Sequence, residues 1–137
     1  MPEKNAGREE MMIQTEKYFS LAGKTAVITG GATGLGLAIS RCMAGAGARV
    51  VVLSRGSNGK DQEALKELGD AAVFYRFDIT DTDHAQEMAD RIIREQGPVS
   101  ILVNNAGNHC KKYVEEMTVE DYESVLQVHL VGAFALT

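Results

Sequence analysis

The sequence predicts an α/β domain built on a doubly wound parallel sheet, and three observations support this prediction. Short, continuously apolar runs alternate with amphipathic segments, the pattern of parallel strands covered by helices on both faces. A glycine-rich turn, residues 30–36, joins the first apolar run to a helical one. A later apolar run continues into Asn-Asn-Ala-Gly at residues 104–107. Because ligands of such sheets bind beyond the carboxyl ends of the strands, both turns are expected to face one site.

The alternation places four strands and four helices along the chain. The predicted elements are strand 25–29, helix 34–46, strand 49–54, helix 60–68, strand 72–77, helix 82–95, strand 100–104 and a helix from about 118. Gly47 and Gly69 follow two of these helices, and Gly97-Pro98 follows the third, as helix stops commonly do. The strand order expected for this arrangement is 3-2-1-4.

The organisation of the chain is expected to be a leader and one domain. Residues 1–20 form a charged leader with a helical pattern over 9–19, and residues 21–137 form the domain. The complete doubly wound order has six strands, whereas this sequence supplies four. The last run, 128–137, keeps its helical pattern to the final residue without a stop signal. We therefore expect the chain to be the N-terminal half of a longer protein.

Composition and charge exclude several classes of partner. The net charge of −5 and the absence of a basic run beyond Lys111-Lys112 argue against nucleic acid and anionic membranes. No apolar stretch reaches the roughly 20 residues of a membrane span, and the N-terminus lacks the apolar core of a signal peptide. The two cysteines, Cys42 and Cys110, form no C-x-x-C or Cys/His cluster, which indicates a reducing cytoplasm and no structural metal.

The turn from Thr29 to Gly36 predicts a site for the pyrophosphate of a dinucleotide. Gly30, Gly34 and Gly36 allow a tight turn and let a phosphate approach bare N–H groups at the positive end of a helix. Glycine-rich turns also serve as purely structural loops, so this pattern alone leaves both interpretations open. The candidate binding residues of the turn are Gly30, Thr33, Gly34, Leu35 and Gly36.

Two motifs together identify a family resemblance. The turn Thr-Gly-x3-Gly-x-Gly and the strand that ends in Asn-Asn-Ala-Gly resemble the short-chain dehydrogenase/reductase family. The resemblance implies a Rossmann-type fold and hydride exchange between a nicotinamide cofactor and a small alcohol or carbonyl substrate, with a homo-oligomer as the complete enzyme. Residues 108–112 and 115–118 are similar to sugar-acid or polyol dehydrogenases of the gluconate 5-dehydrogenase type.

The residues after the second strand indicate which cofactor is preferred. NAD-preferring enzymes place an acidic residue there against the ribose 2′-hydroxyl, whereas this chain has Ser54-Arg55. A guanidinium and a hydroxyl favour the 2′-phosphate of NADP(H), with NAD as the alternative. A solvated surface arginine is the other interpretation of Arg55.

Further contacts with the cofactor are implied by the resemblance. Asp78 and Ile79 correspond to the family's Asp-hydrophobic pair that meets the adenine, although Asp78 could instead cap the following helix. Asn105 and the Ala106 backbone are expected along the cofactor ribose, with Gly107 giving clearance. Asn104 is expected to tie neighbouring strands together.

The catalytic residues of the family are only partly present. Its Tyr-x3-Lys pair is missing, because none of the four tyrosines is followed by Lys four residues later. The family's helical Asn, in an Asn-Leu-x-Gly context, corresponds to His129 in His-Leu-Val-Gly. His129 could hold a water or relay a proton, or it could pack in the helix without a catalytic part. A non-catalytic NADP(H)-binding or sensing module is therefore the alternative function.

These interpretations predict how the 137-residue chain behaves alone. Without the fifth and sixth strands, the fourth strand and the last helix would expose apolar surface and unpaired backbone. We therefore expect the isolated chain to associate or to be partly unfolded. Without the Tyr-x3-Lys pair, we expect it to catalyse no oxidation or reduction.

Overall fold

A computed structural model describes residues 18–56 and 59–137 of the protein. Residues 1–17, which hold most of the predicted leader and most of the helix predicted over 9–19, lie outside the described residues. The domain is a four-stranded parallel sheet in the order β3-β2-β1-β4, which confirms the predicted topology. The strands are β1 (Thr25–Thr29), β2 (Arg49–Ser54), β3 (Ala72–Arg76) and β4 (Val99–Val103).

The helices follow the predicted alternation, with differences at their ends. They are α1 (Gly34–Gly45), α2 (Lys60–Leu68), α3 (Ala85–Gln96), α4 (Val119–Leu126) and α5 (Ala133–Leu136). The helix predicted over 82–95 begins as a 3₁₀ turn, Thr82–His84, before α3 starts. The helix predicted from about 118 contains a π-helical segment, Gln127–Gly132, between α4 and α5.

The sheet separates two apolar layers, and β1 contributes to both. Val27, on one face, packs with Val51 and Leu53 of β2 in the layer that faces α3. Ile28, on the other face, packs with Val50 and Val52 in the layer that faces α1 and α2. All five residues of β1 are buried, so its carboxyl end is held from both sides. This placement fixes the start of the glycine-rich turn in the middle of the domain.

The four strands end at the same edge of the sheet because they run parallel. The turns that follow them therefore lie side by side above this edge, which is where doubly wound sheets bind their ligands. Among the described residues, no helix combines the length and the apolar character needed to cross a membrane.

Candidate functional site

A pocket of about 790 Å³ lies beyond the carboxyl ends of the strands. Its walls come from the turns after all four strands and from Val128 of the π-helical segment. All twelve residues predicted to contact the cofactor line this pocket: Gly30, Thr33, Gly34, Leu35, Gly36, Ser54, Arg55, Asp78, Ile79, Asn105, Ala106 and Gly107. The structure thus brings together residues that are up to 77 positions apart in the sequence (30 to 107).

The glycine-rich turn leaves the start of α1 open to the pocket. Thr33, the N-cap residue, makes no side-chain capping bond, and the first turn of α1 carries no acidic residue. No side chain in the described part of the protein is seen to accept from the N–H groups at this helix end, and the helix dipole makes the position favourable for an anion. Gly34 has a φ of +52° and open space where a side chain would be. The open space at Gly34 and the helix dipole both favour a small anion at this surface, as at other open helix N-termini.

Gly36 serves close packing rather than an unusual backbone conformation. A Cβ at this position would overlap the carbonyl oxygen of Gly30 and would lie 2.5 Å from Nδ2 of Asn105. The first turn of α1 therefore rests directly on the backbone that follows β1. Any side chain at Gly36 would push the helix away from the sheet.

Thr29 joins the ends of β1 and β4, a role that sequence analysis missed. Its hydroxyl accepts hydrogen bonds from the backbone N–H groups of Asn105 and Ala106, both at 2.9 Å, and donates to the carbonyl of Val103 at 3.2 Å. Thr29 is only 1% exposed, so these bonds are shielded from water. One feature of the sequence could have predicted this role. Thr29 ends a buried strand and precedes an Asn-Asn turn by 75 residues (29 to 104).

Asn105, not Asn104, ties the neighbouring strands together. The side-chain amide of Asn105 donates to the Thr29 carbonyl at 2.8 Å and lies 3.4 Å from the Gly30 carbonyl. Asn104 is exposed, and its amide donates to the hydroxyl of Thr137 at 3.3 Å. The expectation for Asn104 is therefore wrong, because the chain turns after Val103 and directs the side chain of Asn105 back toward β1.

The end of the pocket near β2 and β3 carries opposite charges. The Arg55 guanidinium lies 3.9 Å from the Asp78 carboxylate, and the Arg55 side chain is 72% exposed. Asp78 also accepts from the Thr80 backbone N–H at 3.0 Å and from its hydroxyl at 2.8 Å. Burial favours the neutral carboxyl, but the Thr80 hydrogen bonds and the Arg55 charge outweigh it and hold the pKa of Asp78 below its ordinary value. Asp78 is therefore an ionised acceptor at neutral pH.

The Ser54 hydroxyl is engaged inside the protein. It donates to the carboxylate of Asp61 at 3.0 Å and accepts the N–H of Gly56 at 3.2 Å. Asp61 is buried in the first turn of α2 and was not singled out in the sequence. Because the single hydroxyl proton is used, Ser54 shapes this end of the pocket mainly by holding Asp61 and Gly56.

The loop after the Asn-Asn-Ala-Gly turn is anchored to α4. The Lys112 ammonium lies 2.6 Å from the Asp121 carboxylate, and Asp121 forms a capping box with Thr118 at the start of α4. The Lys112 hydrogen bond, helped by the Thr118 N–H, lowers the pKa of Asp121 to about 2. The ion pair therefore remains charged on both sides over the whole neutral and mildly acidic range.

His129 is an exposed residue that contacts the loop after the Asn-Asn-Ala-Gly turn. Its ring is absent from the lining, and its Nε2 atom is 2.8 Å from the carbonyl oxygen of Asn108. Gly107 gives clearance to this imidazole, because a Cβ on Gly107 would lie 2.7 Å from Cε1 of His129. The space that the sequence predicts beside Gly107 is therefore occupied by the His129 imidazole. His109 does line the pocket, although sequence analysis gave it no role.

The parallel sheet, its strand order and the glycine-rich turn at the start of α1 define a domain of the Rossmann type. Residues 24–137 match the short chain dehydrogenase family. The chain therefore belongs to this family of oxidoreductases, as the two sequence motifs indicated.

Individual relatives place the chain within this family. It is 36% identical over 122 residues to a 2-dehydro-3-deoxy-D-gluconate 5-dehydrogenase of Formosa agariphila, covering 87% of this chain and 46% of the relative. It is 37% identical over 116 residues to an NADP-dependent (R)-specific alcohol dehydrogenase of Lentilactobacillus kefiri, covering 83% and 46%. The chain thus spans about half the length of these curated relatives.

A solved structure shows the same arrangement. A short-chain type dehydrogenase/reductase from Mycobacterium marinum superposes with a TM-score of 0.79 at 32% identity, covering 86% of this chain and 49% of that one. This similarity supports the fold of the chain and its strand order.

Proposed function

We propose that this chain forms the cofactor-binding half of an NADP(H)-dependent oxidoreductase that interconverts an alcohol and a carbonyl, with a sugar acid or polyol as substrate. The observation that carries the proposal is Arg55, whose exposed guanidinium stands at the pocket edge after β2. Two relatives support it by name, one as NADP-dependent and the other as acting on a sugar acid. A cytoplasmic location is part of this proposal.

The pocket suits a nicotinamide dinucleotide in three regions. The open N-terminus of α1 would hold the pyrophosphate, and Asp78 and Ile79 would face the adenine. The turn of Asn105–Gly107 would lie along the ribose. When bound, the cofactor supplies hydride transfer. The chain's own residues bind and orient it, with Thr29 and Asn105 keeping the walls of the pocket together.

Arg55 is suited to recognise a 2′-phosphate because its present ion pair is weak. A separation of 3.9 Å from Asp78 at an exposed position gives little stabilisation, so the guanidinium can turn to a stronger acceptor. A phosphate offers two or more oxygens to the guanidinium fork, and such charge-assisted bonds are about twice as strong as neutral ones.

Replacing Arg55 by alanine is expected to weaken NADP(H) binding selectively. Loss of a charge-assisted contact costs about 1.5–3 kcal/mol, which corresponds to roughly tenfold or more in the dissociation constant. Binding of NAD(H) should be nearly unchanged. Titration calorimetry with NADP⁺ and NAD⁺ measures both affinities.

Arg94→Ala is the matched control, because its side chain is also highly exposed, at 71%, but lies in the last turn of α3. Equal losses for both cofactors, or a wild-type protein that prefers NAD⁺, would contradict the proposal.

A non-catalytic NADP(H)-binding module is the second candidate function. The placement of His129 favours it, because the ring contacts the Asn108 backbone and does not line the pocket. We expect the 137-residue chain to show no turnover of sugar acids or polyols, even where it folds and binds NADP⁺, since it holds no Tyr-x3-Lys pair. Absorbance at the NADPH wavelength measures this turnover directly. Turnover by the 137-residue chain by itself would contradict the assignment of the proton donor to that pair.

A further inference from the structure

The His129 imidazole lies directly against Gly107 of the pocket wall, and both residues are exposed. The three heavy atoms nearest to a Cβ on Gly107 would all belong to this ring, at 2.7, 3.1 and 3.6 Å. The backbone of Gly107 lies outside the left-handed region, so alanine would be allowed there by conformation. The His129 ring is therefore the group that must move when a side chain is placed at Gly107.

The same ring is hydrogen-bonded to the next residue of the loop. His129 Nε2 lies 2.8 Å from the carbonyl oxygen of Asn108 and 3.3 Å from its N–H nitrogen. One ring nitrogen either donates or accepts, and it cannot serve both backbone groups at once. The shorter distance favours the tautomer with the proton on Nε2, which donates to the carbonyl.

The side chain of Asn108 strengthens the same connection. Its amide donates to the carbonyl oxygen of Ser124 in α4 at 3.2 Å. The loop after β4 is therefore attached twice to the last helical region, once through the Asn108 backbone and once through its side chain. Only the backbone attachment involves His129.

The π-helical segment explains how one stretch of helix serves both the pocket and the loop. Within Gln127–Gly132, Val128 lines the pocket while His129 reaches the backbone of Asn108. Such wide turns are rare and often occur at functional sites. The irregular helix thus lies against the pocket wall at two adjacent residues.

We propose that His129 is a positioning residue: its imidazole holds the pocket wall of residues 105–109 in place through Gly107 and the Asn108 backbone. It acts on the cofactor through this wall and carries no proton to the substrate. The inference rests on the proposed function, because the wall is expected to contact the dinucleotide ribose.

The two roles of His129 predict different outcomes for an asparagine variant. A carboxamide offers one donor and one acceptor, so His129→Asn can serve both backbone groups of Asn108. It cannot relay a proton near neutral pH. A positioning role therefore predicts that His129→Asn retains dinucleotide affinity and that His129→Ala loses it by about threefold to tenfold, the effect of one hydrogen bond.

The direct test is a double-mutant cycle on Gly107 and His129. In the wild-type background, Gly107→Ala should weaken NADP⁺ binding by about threefold to tenfold, the same loss as His129→Ala, because the Cβ displaces the exposed ring from the Asn108 backbone. In the His129→Ala background, the same substitution should change binding by less than about twofold, since the obstacle is gone. Titration calorimetry measures the four dissociation constants. His84→Ala is the control, an exposed histidine that contacts Asp81 outside the pocket.

The melting temperatures of the same four proteins test the contact without any dinucleotide. The same non-additivity is expected there, and rescue by His129→Asn should appear in both measurements. Additive effects of Gly107→Ala in both backgrounds, or a His129→Asn variant as weak as His129→Ala, would overturn the inference. A wild-type protein that binds neither NADP⁺ nor NAD⁺ would contradict the proposed function instead, and the melting cycle would still decide the role of His129.

Discussion

Gly36→Ala is expected to weaken dinucleotide binding severely, although it adds only one methyl group. The new Cβ would overlap the Gly30 carbonyl oxygen and meet the Asn105 amide at 2.5 Å. Both neighbours are fixed: Gly30 follows a fully buried strand, and the Asn105 amide is bonded to Thr29. The helix must therefore move away from the turn, which displaces the N–H groups that would bind the pyrophosphate. We expect a loss of about hundredfold or more, equivalent to about 3 kcal/mol.

The same helix supplies a matched control for this prediction. Gly45 ends α1, and a Cβ there would meet no atom within 4 Å. Gly45→Ala should leave binding unchanged and raise the melting temperature slightly, because alanine is the better helix former by up to about 1 kcal/mol. Calorimetric titration with NADP⁺ and thermal melting distinguish the two variants. Wild-type affinity in Gly36→Ala would show that the turn does not hold the pyrophosphate.

The order of the strands and the pocket edge could be predicted from the sequence because they depend on periodic patterns. Apolar runs such as 49–54 have few alternatives to a buried parallel strand, and their alternation with helices fixes the topology. The predicted bounds of β1 and β2 match those of the structure. The twelve residues that line one pocket follow from the same rule, since all of them come directly after strands or open a helix.

Side-chain directions beyond the strand ends could not be predicted in this way. Asn104 and Asn105 are adjacent and chemically identical, and only the path of the chain after Val103 decides which amide faces β1. Ser54 has a hydroxyl suited to a phosphate, but a buried carboxylate seven residues later takes its proton. Such contacts depend on how elements pack, and no local pattern encodes them.

The irregular helix after α4 illustrates a second limit. Residues 119–136 keep an apolar pattern that predicts one continuous helix, and the pattern contains no proline to announce the π-helical segment. The wide turn occurs where Gly132 packs against the carbonyl of Ile79, 2.6 Å from where a Cβ would be. The π-helical segment thus coincides with a tertiary contact, and the local sequence does not predict it.

Thr29→Val is expected to destabilise the fold and to weaken dinucleotide binding together. Valine keeps the shape of threonine but removes the hydroxyl that joins β1 to the turn after β4. The Ala106 N–H would then lose its acceptor at a half-buried position, and an unpaired group shielded from water costs about 1–3 kcal/mol. We expect the melting temperature to fall by roughly 10 °C. Thr29→Ser keeps the hydroxyl and should recover most of the loss.

The opposite end of the same strand tests whether this effect belongs to the pocket. Thr25 is also buried, and its hydroxyl makes one long bond, 3.4 Å, to the Gln96 carbonyl. Thr25→Val should therefore cost less stability and should leave NADP⁺ affinity unchanged. If the two valine variants lost stability and affinity equally, the Thr29 hydroxyl would stabilise the core without a specific role in the pocket. A loss of affinity confined to Thr29→Val would instead identify its hydroxyl as the contact that sets the spacing between the glycine-rich turn and the opposite wall of the pocket.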